Sequence, residues 1–325
     1  VLDETAGTKT VNGGIITGGT GNINRDIVSG GGVYVKSGGQ FTMNGGNIVG
    51  CAARIERVQA QGGGVYVAEN GTFTMTGGSI TGCMAIAAQV SAYAMGGGIC
   101  NEGTTTLSGT AKIRDCRTTH AGNQLGGGIC DTGVLNISGD VEITGCRADG
   151  FGSDSVYSND SCTIDGGYFD GSVWNHGTIT NGTFNGEVVN SNTITGGIFN
   201  AKVTNGGPIS GGMFYGGITE GGVIRGCTVT YRVDGKDYAM QVLPNGTTAT
   251  KPNDPAKDGY AFIDWYDGDT VYDFTRPVTE NITLAAKRIK IADKTADFTA
   301  SDGGAEAIAL LNIAKIGSAD STWDN

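Results

Sequence analysis

Short runs of alternating apolar and polar residues, broken by Gly-Gly or Asn-Gly turns, repeat along the first two thirds of the chain. Gly-Gly-Gly-Val-Tyr-Val stands at Gly30–Val35 and again at Gly62–Val67, and Gly-Gly-Gly-Ile-Cys at Gly96–Cys100 and Gly126–Cys130. A second motif, Thr-Met-x-Gly-Gly-x-Ile-x-Gly-Cys, occupies Thr42–Cys51 and Thr74–Cys83, with looser copies at Thr106–Cys116 and Asn136–Cys146 and a cysteine-free copy at Thr10–Gly19. From Thr163 the period shortens to 15 residues, with units opening at Thr163, Thr178, Thr193, Pro208 and Val223.

Aligning these units produces three apolar columns. The first is Val11, Met43, Met75, Leu107, Ile137, Ile164, Ile179, Ile194, Ile209 and Ile224. The second is Ile16, Ile48, Ile80, Ile113, Ile143, Phe169, Phe184, Phe199, Phe214 and Val229. The third is Val33, Val65, Ile99, Ile129, Val156, Val173, Val188, Val203 and Ile218. Period-2 alternation predicts β-strands with one inward face. No unit can bury its own apolar side, whereas stacked units bury each column as a ladder of like residues. The expected fold is all-β: a right-handed, three-sided parallel β-helix (β-solenoid) over residues 1–228, of about ten coils and roughly 45–50 Å at the usual strand spacing. The alternative, a β-sandwich with glycine-rich turns, does not explain a constant offset. Residues 10–229 resemble the parallel β-helix repeat family.

Composition supports a change of folding solution near Thr228. Most of the 59 glycines and all 8 cysteines precede it, while four of the 5 prolines follow it. The net charge is −11 without a basic stripe, which excludes a nucleic-acid partner and disfavours an anionic membrane surface. No apolar run is long enough for a membrane span. Cys51, Cys83, Cys116 and Cys146 share one coil position, and Cys100 and Cys130 share another; both sets are expected as buried thiols rather than a disulfide framework. No Cys-x-x-Cys spacing occurs, so no metal site is expected; no cofactor is expected either. Asn175, Asn190 and Asn205, continued by Glu220, read as an amide ladder at a turn, with ligand contact as the alternative.

The long units differ from the 15-residue units by insertions at Thr17–Gly32, Ala52–Gly64, Met84–Gly98, Arg117–Gly128 and Arg147–Ser155. All leave one corner and stack into a wall, with short helices expected at Ala52–Gln61 and Met84–Met95. Its candidate binding residues, all expected to be exposed, are Arg54, Glu56, Arg57, Gln59, Gln89, Tyr93, Arg117, His120, Asn123, Gln124 and Arg147. The competing role for the wall, with Ile55, Ile86, Val90 and Met95 in it, is to cover the coils.

In the second part, Gly259-Tyr260-Ala261-Phe262-Ile263-Asp264-Trp265-Tyr266, then Tyr272-Asp273-Phe274, then Pro277 to Lys287, resembles the internalin-type B-repeat, also called the Listeria–Bacteroides repeat. The resemblance covers residues 229–289 and implies a small β-grasp-like module of Gram-positive or other bacterial cell-surface proteins, hence an extracellular, cell-surface location, and it brings no catalytic residue. It departs from the family at Asp264, usually Gly, and at Arg288, usually Trp; neither departure alters the expected fold, and the second leaves room for a truncated last strand. Tyr260, Phe262, Trp265, Tyr272, Phe274, Ile282 and Leu284 are its expected core. Asp267, Asp269 and Asp273 lack calcium-loop spacing and read as a solvated turn. Residues 290–325 read as a linker with a helix over Ala305–Lys315, stopped by Gly317, followed by the start of a further module.

Three functional readings follow. A non-catalytic surface protein would bind an extracellular glycan or host protein through the wall, by adhesion. A β-helix polysaccharide lyase or hydrolase would need converging acids, and here only Asp131, one coil from Asn101 and near Glu102, comes close; His120 and His176 share no motif. A spacer in a surface array would need neither. The first is preferred, with no catalytic residue assigned.

Overall fold

In the computed structural model, residues 2–3, 8–19, 21–24, 27–56, 58–89, 91–119, 123–150, 152–219 and 221–291 are described. They contain strands and turns and no helix. The chain divides into two compact units between Gly226 and Cys227. The helix expected at Ala305–Lys315, Gly317 and residue Glu220 lie outside the described residues.

The first unit is a parallel β-solenoid whose three main columns are those of the sequence repeat. Val33, Val65, Ile99, Ile129, Val156, Val173, Val188, Val203 and Ile218 pair in register in a ten-stranded parallel sheet. Met43, Met75, Leu107, Ile137, Ile164, Ile179, Ile194 and Ile209 pair in register on a second side. Ile48, Ile80, Ile113, Ile143, Phe169, Phe184, Phe199 and Phe214 do so on the third. In three coils the strands of the first and second columns run on without a break, as Val134–Thr144, Cys162–Phe169 and Thr178–Phe184. Every phenylalanine of the second column is at most 1% exposed. Their rings stack one coil apart, with centroids at 4.9, 4.9 and 4.7 Å and planes within 7°. A glycine two residues before each ring makes this possible. At Gly182 the backbone has φ 122°, and an added Cβ would lie 3.2 Å from the Phe184 ring.

Val229, the last expected member of the second column, belongs instead to the second unit. It sits in the strand Cys227–Val233, antiparallel to Lys236–Leu243 and parallel to Ile282–Lys290. An apolar residue at the right offset is not enough when the next strand already offers it antiparallel partners.

Polar residues at one corner of the third column are buried in a ladder. Asn175 donates from Nδ2 to Asn190 Oδ1 at 2.8 Å, and Asn190 to Asn205 at 2.8 Å; each also donates to a carbonyl two residues on, those of Gly177 at 3.0 Å, Asn192 at 2.7 Å and Gly207 at 2.9 Å. The amide ladder is therefore structural. Asn101 and Asp131 hold the same strand position in earlier coils. Asn101 Nδ2 donates to Asp131 Oδ1 at 2.6 Å, but Asp131 Oδ2 is buried with no hydrogen bond. Burial raises the Asp131 carboxyl above the usual range.

All 8 cysteines are buried free thiols. In the four-coil column each Sγ lies 3.3–3.8 Å from backbone carbonyls, as Cys116 does to Ile80 O at 3.6 Å and Arg114 O at 3.3 Å. Bonding to the neighbouring thiol and burial raise Cys51 and Cys116, the hydrogen bonds from Cys116 and Cys51 lower Cys83 between them, and burial pushes Cys162 up to about 12.

In the second unit a mixed sheet holds Tyr231, Trp265 and Leu284 at 0% exposure, with the Tyr231 and Trp265 rings 5.0 Å apart. Tyr272 is buried as expected, whereas Tyr260 is exposed and Phe262, Phe274 and Ile282 are half-buried. The last strand is not truncated: it runs Ile282–Lys290, and Arg288, 8% exposed in its side chain, reaches Asp234 at 3.1 Å and Pro255 O at 3.3 Å. Asp264 pairs with Lys251 at 3.1 Å. Asp273 caps its own turn at Thr275, and Asp269 meets Lys287 at 3.4 Å.

Three predictions follow from this packing. Phe199→Ala removes the middle of the ring stack and lowers unfolding free energy in denaturant by about 3–5 kcal/mol. Asp131→Asn completes the ladder and stabilises the fold at neutral pH by about 1–3 kcal/mol, the usual cost of an unsatisfied buried acceptor. Because the folded state favours protonated Asp131, the native chain recovers stability as pH falls through the raised carboxyl value; thermal melts from pH 7 downwards should show the gap between the two proteins closing. Thiol titration should find the cysteines unreactive in the native protein and all 8 reactive in denaturant, with mass spectrometry showing no disulfide.

Candidate functional site

Among the described residues the insertions form strands and no helix. Ala52–Ile55, Met84–Ala87, Arg117–Thr119 and Arg147–Ala148 pair as one parallel sheet. Ile27–Ser29, Gln59–Gln61, Tyr93–Met95 and Asn123–Leu125 pair as another, ended by the antiparallel Asn22–Asn24. Stacking supplies each backbone group with a partner in the next coil, which outweighs the helix preference of the alanines. Between the two sheets lies a cluster of Val28, Ala53, Ala60, Ala85, Ala87, Ala92 and Ala94, with Ile55 against it. The methyl side chains let the sheets close into a thin fin. The chain re-enters the solenoid through the Gly-Gly-Gly motif, where a Cβ on Gly63 would overlap the Gly97 carbonyl and the Met84 backbone.

The candidate residues are distributed over two faces of the fin. Met84, Arg117 and Arg147 align in one outward row, and Arg54, Ile86 and Thr119 in the next. Arg54, Arg117 and Arg147 are exposed. Arg117 is clamped by Asp149, Nε to Oδ1 and Oδ2 at 2.7 Å and Nη2 to Oδ1 at 2.6 Å, which raises its pKa. The other sheet aligns Gln59, Tyr93 and Asn123. Gln59 is half-buried and Tyr93 is 38% exposed, while Gln89 and Glu56 are exposed at turns. Gln124 corrects the expectation of an exposed residue: it aligns with Ala60 and Ala94 on the inward row and is 1% exposed. Arg57, His120 and Val90 lie outside the described residues, as does the side chain of Asn123. Covering is part of the fin's role too, since Met95 packs with Tyr66, Cys100 and Cys130.

The acids considered for catalysis are held in place by the fold. Asp131 is 0% exposed in the ladder. Glu102 accepts from Gln61 Nε2 and from the Tyr66 hydroxyl, both at 2.6 Å, and Gln61 Oε1 accepts from Ser29 at 2.9 Å. Burial and the Glu102 carboxylate raise the Tyr66 phenol. That cross-coil network had no sequence signal, because its members come from the fin, the third column and a turn. His176 Nδ1 lies 2.7 Å from Ser158 O, and its ring is 5.6 Å from that of Tyr157. Among the described residues no cluster of His, Cys, Asp and Glu suits a metal ion.

A groove of about 590 Å³ lies on the solenoid sheet that carries the first and second columns, between the two. Its walls include Asp140, Glu142, Tyr168, Asn181, Thr183 and Ile198, and its floor is glycine backbone at Gly166, Gly167 and Gly182. Arg114 and Lys112 both bind Glu142, the latter at 3.0 Å, and hold its carboxyl below the usual range. The groove opens where the spacing changes: Ile143 follows Ile137 by six positions but Phe169 follows Ile164 by five, and the register shifts between Gly139 and Glu142.

Residues 228–287 match the Listeria–Bacteroides repeat domain family, in agreement with the resemblance read from the aromatic anchors. That repeat is typical of bacterial surface proteins. No curated protein is similar enough to the chain to count as a match. Among the described residues no helix is long and apolar enough to cross a membrane.

Proposed function

We propose that this is a non-catalytic bacterial surface protein that adheres to an extracellular glycan or host protein through the outward faces of the fin. One observation carries the reading. The two faces display separate polar and cationic side chains on a rigid sheet pair, while the acids nearest to a catalytic arrangement, Asp131 and Glu102, are engaged in structural networks. Catalysis requires convergent acid and base groups open to substrate. Extended recognition of a large partner requires only a rigid, exposed, chemically mixed surface. The repeat domain supports a surface location.

The test leaves the fin intact, because deleting an insertion would uncover its alanine core. Arg54→Glu, Arg147→Glu and Tyr93→Ala are combined, and binding to arrays of glycans and extracellular-matrix proteins is compared with the native chain. A loss of at least about tenfold at unchanged melting temperature is expected for a partner seated on these faces. Cleavage of polygalacturonate by the purified protein, abolished by Asp131→Ala, would replace this reading with the enzymatic one.

A further inference from the structure

We propose that the groove between the first and second columns is a second binding site, independent of the fin, and that it holds an uncharged glycan strand. Its volume of about 590 Å³ falls in the usual range for ligand sites. The shortened coil leaves a notch, and the glycines that follow cannot carry side chains to fill it. Gly167 and Gly182 have φ of 92° and 122°, and a Cβ at either would sit 3.2–3.3 Å from its own coil's Phe ring. The floor is thus kept bare by the same packing that builds the core.

The walls favour sugar over the other linear polymers. Tyr168 is 40% exposed although it is the largest side chain on this face of the groove. Its hydroxyl accepts from Asn185 Nδ2 at 2.6 Å, and Asn185 Oδ1 accepts from Asn200 Nδ2 at 2.6 Å. The ring is therefore held rigidly, with an apolar flank open to a sugar ring. Asn181, Thr183 and Asp140 offer donors and acceptors for hydroxyl groups around it. An extended peptide would bind by adding a strand, but Val134–Thr144 is already paired on both sides, with Thr104–Leu107 and Lys112–Arg114 on one and Cys162–Phe169 on the other. A uronate polymer meets Asp140 and the Glu142 carboxylate, and no lysine or arginine lines the groove. Lys112 and Arg114 beside it are held by Glu142. Those two cations neutralise Glu142, so the like charge that disfavours a uronate is that of Asp140.

Isothermal titration of the full chain with oligosaccharides of glucose, mannose, xylose and N-acetylglucosamine, and with polygalacturonate, tests the proposal. At least one uncharged series should bind and polygalacturonate should not. Tyr168→Ala should weaken that binding at least about tenfold, as loss of an aromatic anchor does, and Tyr168→Phe should retain it. Thr183→Trp, which fills the groove from a half-buried surface position, should abolish it at an unchanged melting temperature. The fin triple variant should bind the same sugar undiminished, so the two sites fail separately. Absence of binding by every uncharged series, preferential binding of polygalacturonate, a peptide that competes at Tyr168, or indifference to both Tyr168→Ala and Thr183→Trp overturns it.

Discussion

Everything in the first unit depends on in-register stacking of like residues along parallel strands. A single coil has no interior; its valines, isoleucines and phenylalanines become buried only against the same residue in the coils before and after. That requirement explains the constant offset of the repeat. It also explains why polar positions repeat. A buried asparagine satisfies its amide by donating to the next asparagine and to its own turn, so an inward polar residue is tolerated only where its neighbours can continue the chain of hydrogen bonds. Asp131 marks a coil where this continuation fails for one oxygen.

The same stacking rule builds the fin. Once the main coils are in register, the insertions are brought into register with one another, and their backbones pair as sheets rather than coiling as helices. Small side chains then decide how closely the sheets approach. Alanines on the inward rows close the fin, and glycines at its root let the chain pass beneath the neighbouring coil. The outward rows are left to carry chemistry, and the fold divides them: arginines with Met84 and Ile86 on one face, Gln59 and Tyr93 on the other. The groove has a different origin, since it lies where the spacing between the first two columns passes from six positions back to five.

Much of this was legible in the chain itself. The offsets, the three columns, the Phe stack, the buried cysteines and the asparagine ladder could be assigned from spacing, because a solenoid turns sequence period directly into spatial neighbourhood. The repeat module was legible from its ordered aromatic anchors. What the sequence left open were features set by contacts that carry no period. Ala52–Gln61 is as compatible with a helix as with two strands until the neighbouring coil offers its backbone. Gln124 and Asn123 are adjacent polar residues, and only strand pairing turns one inward. Val229 continues an apolar column by number, yet its antiparallel partner at Gln241 draws it into another unit. Glu102 meets Gln61 and Tyr66 only across coils. The period determined the solenoid; side-chain direction within the insertions, and the notch where coils of two lengths meet, were decided by tertiary pairing.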